Sequence, residues 1–105
     1  MKSTSVFLTL ALISLMAAPL FADEDGAALF KKSCAPCHGA LGAGDTPMGK
    51  KLGVKALDTP EVQKMTDEQM TQFITKGKGK MPSFAGKLSP EQLNAIVGFI
   101  RTLKK

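Results

Sequence analysis

Two thiols three positions apart with an imidazole directly after them, Cys34-Ala35-Pro36-Cys37-His38, are the residues of this chain best suited to do chemistry. In that order they form the attachment signature of a c-type haem. The spacing supplies the reason. The two sulfurs can add to the two vinyl groups on one edge of a porphyrin, and the next side chain is then held under the ring centre, where a neutral imidazole nitrogen binds iron. Cys34 and Cys37 are therefore the expected covalent anchors, and His38 the expected first axial ligand. Other chemistries compete for the same residues. A short disulfide suits an exported protein, CxxC also occurs in thioredoxin-like folds, and thiolates bind zinc. The thioredoxin reading needs a βαβ context that the sequence lacks. Zinc needs four ligands and would have to recruit carboxylates, because His38 is the sole histidine.

A haem iron has a second axial position, and the methionines are the candidates for it. Met65 and Met70 lie in a helical stretch, where core packing or lining of the haem explains them. Met48 follows Pro47 on a loop and can simply fill a gap. Met81 stands apart: it precedes Pro82, which biases it away from helix, and Gly77 and Gly79 let the surrounding strap approach closely. An extended strap can lay a thioether over a haem face, so Met81 is the expected sixth ligand.

The elements that must position these groups read as helices and loops. Asp25 can cap a helix starting at Gly26, and Lys31 and Lys32 fall late in it, where cations are favoured; this helix runs into the Cys-His turn. Residues 39–59 are punctuated by Gly39, Gly42, Gly44, Pro47, Gly49 and Gly53, and are expected to be loop. Thr59-Pro60-Glu61 reads as a cap with proline at the first helical position, opening a short helix to about residue 65. Thr66 to Gln69 is a capping-box pattern for a helix that Gly77 ends, with Met70, Phe73 and Ile74 on one face. The strap 77–86 follows. Ser89-Pro90-Glu91-Gln92 repeats the cap, proline and box, and Leu93, Ile96, Val97, Ile100 and Leu103 then recur with helical periodicity, Phe99 lying at the stripe's edge. No strand alternation of useful length occurs, and the fold class is expected to be all-α.

Length and charge bound the rest. Of the 105 residues, the first 22 read as a secretory signal peptide. Lys2 gives the positive n-region, residues 6–18 are apolar except for Thr9 and Ser14, and Pro19-Leu20-Phe21-Ala22 leads to the acidic Asp23-Glu24-Asp25. The alternative, a retained anchor, meets an apolar run shorter than the ~20 residues a spanning helix needs. Cleavage after Ala22 and a periplasmic location are expected, with no stable membrane insertion afterwards. Residues 23–105 then form one small domain, too short to bury a comfortable core unaided. It has no Trp and no Tyr. A covalently held haem would supply the missing core. The net charge of +5, or +4 without the signal and its Lys2, favours acidic partners. It is too small and dispersed for nucleic acid, and no aromatic interleaving supports one.

The Cys-His pentapeptide, the stretch Met81-Pro82-Ser83-Phe84 and the last helix together resemble the class I c-type cytochromes, in particular the short bacterial and photosynthetic mono-haem members. The resemblance spans 23–105 and is weakest over 40–65. It implies a cytochrome c fold of three to four helices wrapped around one covalent haem c, with the N- and C-terminal helices crossing. Gly26 and Phe30 resemble the family's glycine-and-aromatic pair at that crossing. Ile96, Gly98 and Phe99 look like the answering positions, with Gly26 and Gly98 allowing close approach. The resemblance further implies low-spin iron held by His38 and Met81, with the Pro47 carbonyl accepting from the other nitrogen of His38. The implied function is single-electron shuttling between redox-partner proteins by a soluble monomer that is not an enzyme. The sequence departs from the family in lacking the Tyr and Trp that many members place near the sulfur ligand and the propionates. Lys31, Lys32, Lys50, Lys51, Lys55, Lys76, Lys78, Lys80 and Lys87 could ring an exposed haem edge and steer an acidic partner. A second function class stays open: a haem enzyme or gas sensor with a labile sixth ligand, should Met81 only pack. It lacks a distal catalytic histidine or arginine, since Arg101, the sole arginine, sits on the last helix. A haem-free dithiol redox domain is a third reading, and it would need a sheet.

Overall fold

The computed structural model describes residues 25–105; the signal-peptide reading of residues 1–22 lies outside them. The order is α1 (Gly26–Ser33), α2 (Ala35–His38), α3 (Pro47–Leu52), α4 (Pro60–Gln63), α5 (Asp67–Lys76) and α6 (Pro90–Thr102). Among the described residues there is no strand, only an isolated bridge between Lys78 and Met81. The fold is all-α, as the sequence requires.

Side-chain oxygens start most of these helices. Asp25 accepts from Ala27 N at 3.0 Å. Thr46, Thr59, Thr66 and Ser89 each accept from the backbone N–H three residues on. In α5 and α6 the return bond is also made, from the Gln69 and Gln92 side chains to the cap N–H, so both capping boxes are complete. Each such cap is worth ~1 kcal/mol by satisfying donors that a helix start leaves open.

The long loop expected over 39–59 is interrupted by a helix. Thr46-Pro47 opens α3 by the same cap-and-proline logic as Thr59-Pro60 and Ser89-Pro90, and Gly53 closes it in the left-handed region at φ 68°. The surrounding glycines masked that signal. Among the described residues the helix count is therefore six, three of them no longer than six residues, against the three or four expected.

The core is Leu29 and Phe30 of α1, Cys34, Met70 and Ile74 of α5, and Leu93, Ile96, Val97 and Ile100 of α6. Phe30 and Ile96 are fully enclosed. The terminal helices cross as expected, but only one of the two glycines makes this possible. A Cβ on Gly26 would lie 2.0 Å from the Ala95 carbonyl oxygen and 3.3 Å from Phe99 Cβ. A Cβ on Gly98 would meet nothing within 4 Å, since Gly98 faces outward. The answering positions are thus Ala95 and Phe99, whose ring centroid lies 4.9 Å from that of Phe30.

Arg101 ties α6 to the middle of the chain. Its guanidinium donates to the Gln63 carbonyl at 2.7 Å, to the Met65 carbonyl and to the Asp67 carboxylate at 2.8 Å. The Gln63 amide in turn donates to the Leu57 and Ile100 carbonyls, both at 3.0 Å. The loop carbonyls between α4 and α5 are satisfied this way rather than by water.

Candidate functional site

The Cys-His pentapeptide is one helical turn. Cys34 is the C-cap of α1 and the N-cap of α2; its N–H donates to the Phe30 carbonyl at 2.8 Å, and its own carbonyl accepts from Cys37 N at 3.2 Å and His38 N at 2.9 Å. Pro36 falls in the first turn, where its missing N–H goes unnoticed, and Gly39 ends the turn at φ 84°. In a helical turn, positions i, i+3 and i+4 share a side. Cys34, Cys37 and His38 occupy those positions, so the turn presents two sulfurs and an imidazole together.

The segment after the motif braces it. The Thr46 hydroxyl accepts from Gly49 N at 2.8 Å and shares its proton between the Pro36 and Cys37 carbonyls, each at 3.0 Å. Gly44 N donates to the His38 carbonyl at 2.7 Å. Gly49 brings α3 so close that a Cβ there would sit 2.2 Å from the Cys37 carbonyl oxygen. The motif's backbone is therefore clamped from outside. The sequence held the cue for this in Thr46-Pro47, but the bond it makes spans ten positions.

Electrostatically the turn is held neutral. Burial first, and the neighbouring Cys37 second, push the Cys34 thiol up to about 11, so it stays protonated at neutral pH. Burial lowers the His38 pKa below its ordinary value, which favours the neutral imidazole that can bind a metal. The His38 ring stands 6.4 Å from that of Phe30. Its Nδ1 is buried and makes no hydrogen bond, to Pro47 or to any other group. Pro47 opens α3, where a carbonyl is directed along the helix axis.

The four methionines of the described region separate by environment. Met70 is core, 3% exposed, whereas Met48 is 49% exposed. Met65 and Met81 are half-buried against the core cluster. Both lie outside any helix: Met65, expected in a helical stretch, falls between α4 and α5, where Arg101 holds its carbonyl, and Met81 lies on a strap folded back over the end of α5. Lys78 and Met81 exchange backbone bonds at 3.1 and 3.0 Å. Gly77, at φ 69°, lies so near the returning chain that a Cβ would come 2.6 Å from the Met81 carbonyl oxygen.

The residues fit a covalent haem. Both cysteines are free thiols, not a disulfide. Among the described residues no group of three His, Cys, Asp or Glu side chains gathers as a metal site, so zinc finds no ligand set. The orphaned His38 nitrogen marks a polar group awaiting partners. Phe73 belongs to the stripe of Met70 and Ile74 yet is 38% exposed. With Met65, Gly77 and Lys78 it lines a cavity of about 400 Å³ beside the strap. That cavity, also lined by Gln69, Gln72 and Lys76, does not reach Cys34, Cys37, His38 or Met81.

Residues 21–100 match the family described as cytochrome c oxidase, cbb3-type, subunit III. The chain is 34% identical over 76 residues to a cytochrome c6 of Microcystis aeruginosa, covering 72% of this chain and 90% of that one. It is also 34% identical over 91 residues to the cytochrome c6 of Thermosynechococcus vestitus, covering 85% and 78% of the two chains. Among solved structures it resembles the KustC0563 c-type cytochrome, with a TM-score of 0.71 at 36% identity, covering 77% of this chain and 99% of that one. It also resembles cytochrome c6C from Synechococcus sp. PCC 7002, with a TM-score of 0.58 at 28% identity, over 75% and 93% of the two chains.

Proposed function

The chain belongs to the class I c-type cytochromes, and from that premise we propose that it is an exported one-electron shuttle whose iron is held by His38 and Met81. One covalently bound haem c and a role in electron transfer go with the family. When bound, the haem supplies an iron that alternates between ferric and ferrous. The protein's part is to hold it still. Cys34 and Cys37 tether one porphyrin edge, and the Thr46 brace keeps their turn rigid. His38 offers a neutral nitrogen to iron, while its buried Nδ1 has no acceptor in this arrangement, Pro47 included. Met81 offers a thioether from the strap. With His38 and Met81 both holding the iron, the soft thioether would raise its potential and no position would be left for a substrate.

The observation that carries this reading is the placement of Met81. Met65 and Met81 are both half-buried on non-helical backbone at the core's edge, but Met81 alone sits on the glycine-flanked strap, its backbone bonded to Lys78. Arg101 is committed to the Gln63 and Met65 carbonyls and Asp67, and so is not spare for distal chemistry. No described helix is long and apolar enough to cross a membrane. Residues 1–22 serve as a cleaved export signal, placing the mature domain, a monomer, in the periplasm, where it meets acidic redox partners.

Coexpression with haem-maturation machinery, followed by oxidised and reduced spectra, tests the ligand assignment. The wild type should show the charge-transfer band of methionine bound to ferric iron, and Met81→Ala should lose it. Ready carbon monoxide binding by the reduced wild type would instead support an open-site enzyme or sensor.

A further inference from the structure

The last turn of a helix leaves carbonyls without partners, and in α5 two of these are taken by the strap that carries Met81. Gly77 N donates to the Phe73 carbonyl at 2.8 Å, which is the helix's own closure. The next carbonyl, that of Ile74, accepts from Phe84 N at 3.2 Å. The one after it, that of Thr75, accepts from the Ser83 hydroxyl at 2.6 Å. The same hydroxyl accepts from Ala85 N at 3.2 Å, so Ser83 is bonded on both sides. Two residues after Met81, and on the far side of Pro82, the strap is thereby fastened to α5 by a side chain, while its near side is closed by the bonds between Lys78 and Met81.

We propose that Ser83 is a positioning residue for the sixth ligand: its hydroxyl, bonded to the Thr75 carbonyl, latches the strap to the end of α5 and sets how often Met81 leaves the iron. This rests on Met81 being the axial ligand. The latch is separable from fold stability because Ser83 is exposed and packs in no core cluster. A ligand that competes for iron sees only the fraction of molecules in which Met81 is off. Its apparent affinity therefore rises in proportion to that fraction. A typical net hydrogen-bond contribution corresponds to a change of roughly fivefold in that equilibrium.

The test is imidazole binding to the ferric, haem-loaded protein, followed by loss of the methionine-to-iron band. Alongside it runs urea unfolding followed by far-ultraviolet circular dichroism. Ser83→Ala should bind imidazole about fivefold more tightly, while Ser83→Thr, which keeps a hydroxyl, should stay near the wild type. Thr71→Ala is the control. It removes a hydroxyl that donates to the Asp67 carbonyl at 2.8 Å on the same helix and makes no hydrogen bond to the strap, and its imidazole affinity should not change. Equal affinities in Ser83→Ala and the wild type would overturn the latch, as would equal shifts in Ser83→Ala and Thr71→Ala. Failure of Ser83→Ala to fold or load haem would also overturn it, by placing the hydroxyl in global stability. Failure of the ligand assignment looks different: Met81→Ala would then match the wild type in both band and imidazole affinity.

Discussion

Thr46 shows how much a single hydroxyl can organise when it lies between two elements. It accepts from Gly49 N to start α3 and donates into the carbonyls of Pro36 and Cys37, joining the Cys-His turn to the helix that follows. Thr46→Val keeps the shape and removes all of this, leaving two turn carbonyls to find water. The variant should be destabilised by ~1–3 kcal/mol, the sum of a lost cap and a lost turn bond. Thr46→Ser should recover most of the loss. Chemical denaturation of the holoprotein reads both, and an unshifted midpoint in Thr46→Val would show that the brace is idle. The chemistry of the turn was legible from Cys34, Cys37 and His38 because its signature is contiguous. The brace was not, because the bonds from Thr46 reach back nine and ten positions and no local pattern announces them. Ser83 escaped for the same reason: its acceptor, Thr75, is eight residues away across a reversal of the chain.

Among elements, the crossing of α1 and α6 turns on a contrast between two glycines in helices. Gly26 touches the Ala95 carbonyl, so Gly26→Ala must separate the helices or shift Ala95, and should cost ~1–3 kcal/mol as overpacking does. Gly98 has open space around it, so Gly98→Ala should stabilise α6 by up to ~1 kcal/mol through helix propensity alone. Opposite shifts in urea midpoint for the same substitution at the two positions are the expected result. A loss of stability at both would mean that Gly98 packs after all. The sequence reading gave both glycines one role because residue type says nothing about which way a helix face points; only the partner's position settles that. By contrast, both ends of α5 and the start of α6 were readable to the residue, since the two capping boxes and the closing Gly77 are local codes. The same code is present at Thr46-Pro47, but the run of glycines on either side outweighs a single cap, so the local pattern predicts loop where α3 forms.

At the scale of the whole molecule, charge is distributed so that little of it cancels near the strap. Among the described residues the ion pairs are Lys55 with Glu61, Arg101 with Asp67 and Lys105 with Asp58. Lys78 and Lys80, which flank Gly79 just before Met81, are exposed and take part in none of them. The acidic residues Asp67, Glu68 and Glu91 are gathered instead in the first turns of α5 and α6, where helix dipoles favour them. A partner approaching the strap therefore meets net positive potential, which accelerates encounter without adding contacts to the final complex. Replacing Lys78 and Lys80 with Glu should slow reduction by an acidic partner several-fold at low ionic strength. The difference should shrink as salt shortens the screening length from ~30 Å at 0.01 M to ~3 Å at 1 M. The methionine-to-iron band of the double variant should match the wild type, because the backbone groups of Lys78, not its ammonium, bond to Met81. A rate that is unchanged at low salt would remove the strap lysines from steering and leave them as solvated surface. A slower rate that persists at high salt would mean that the lysines act in the bound complex rather than on the way to it.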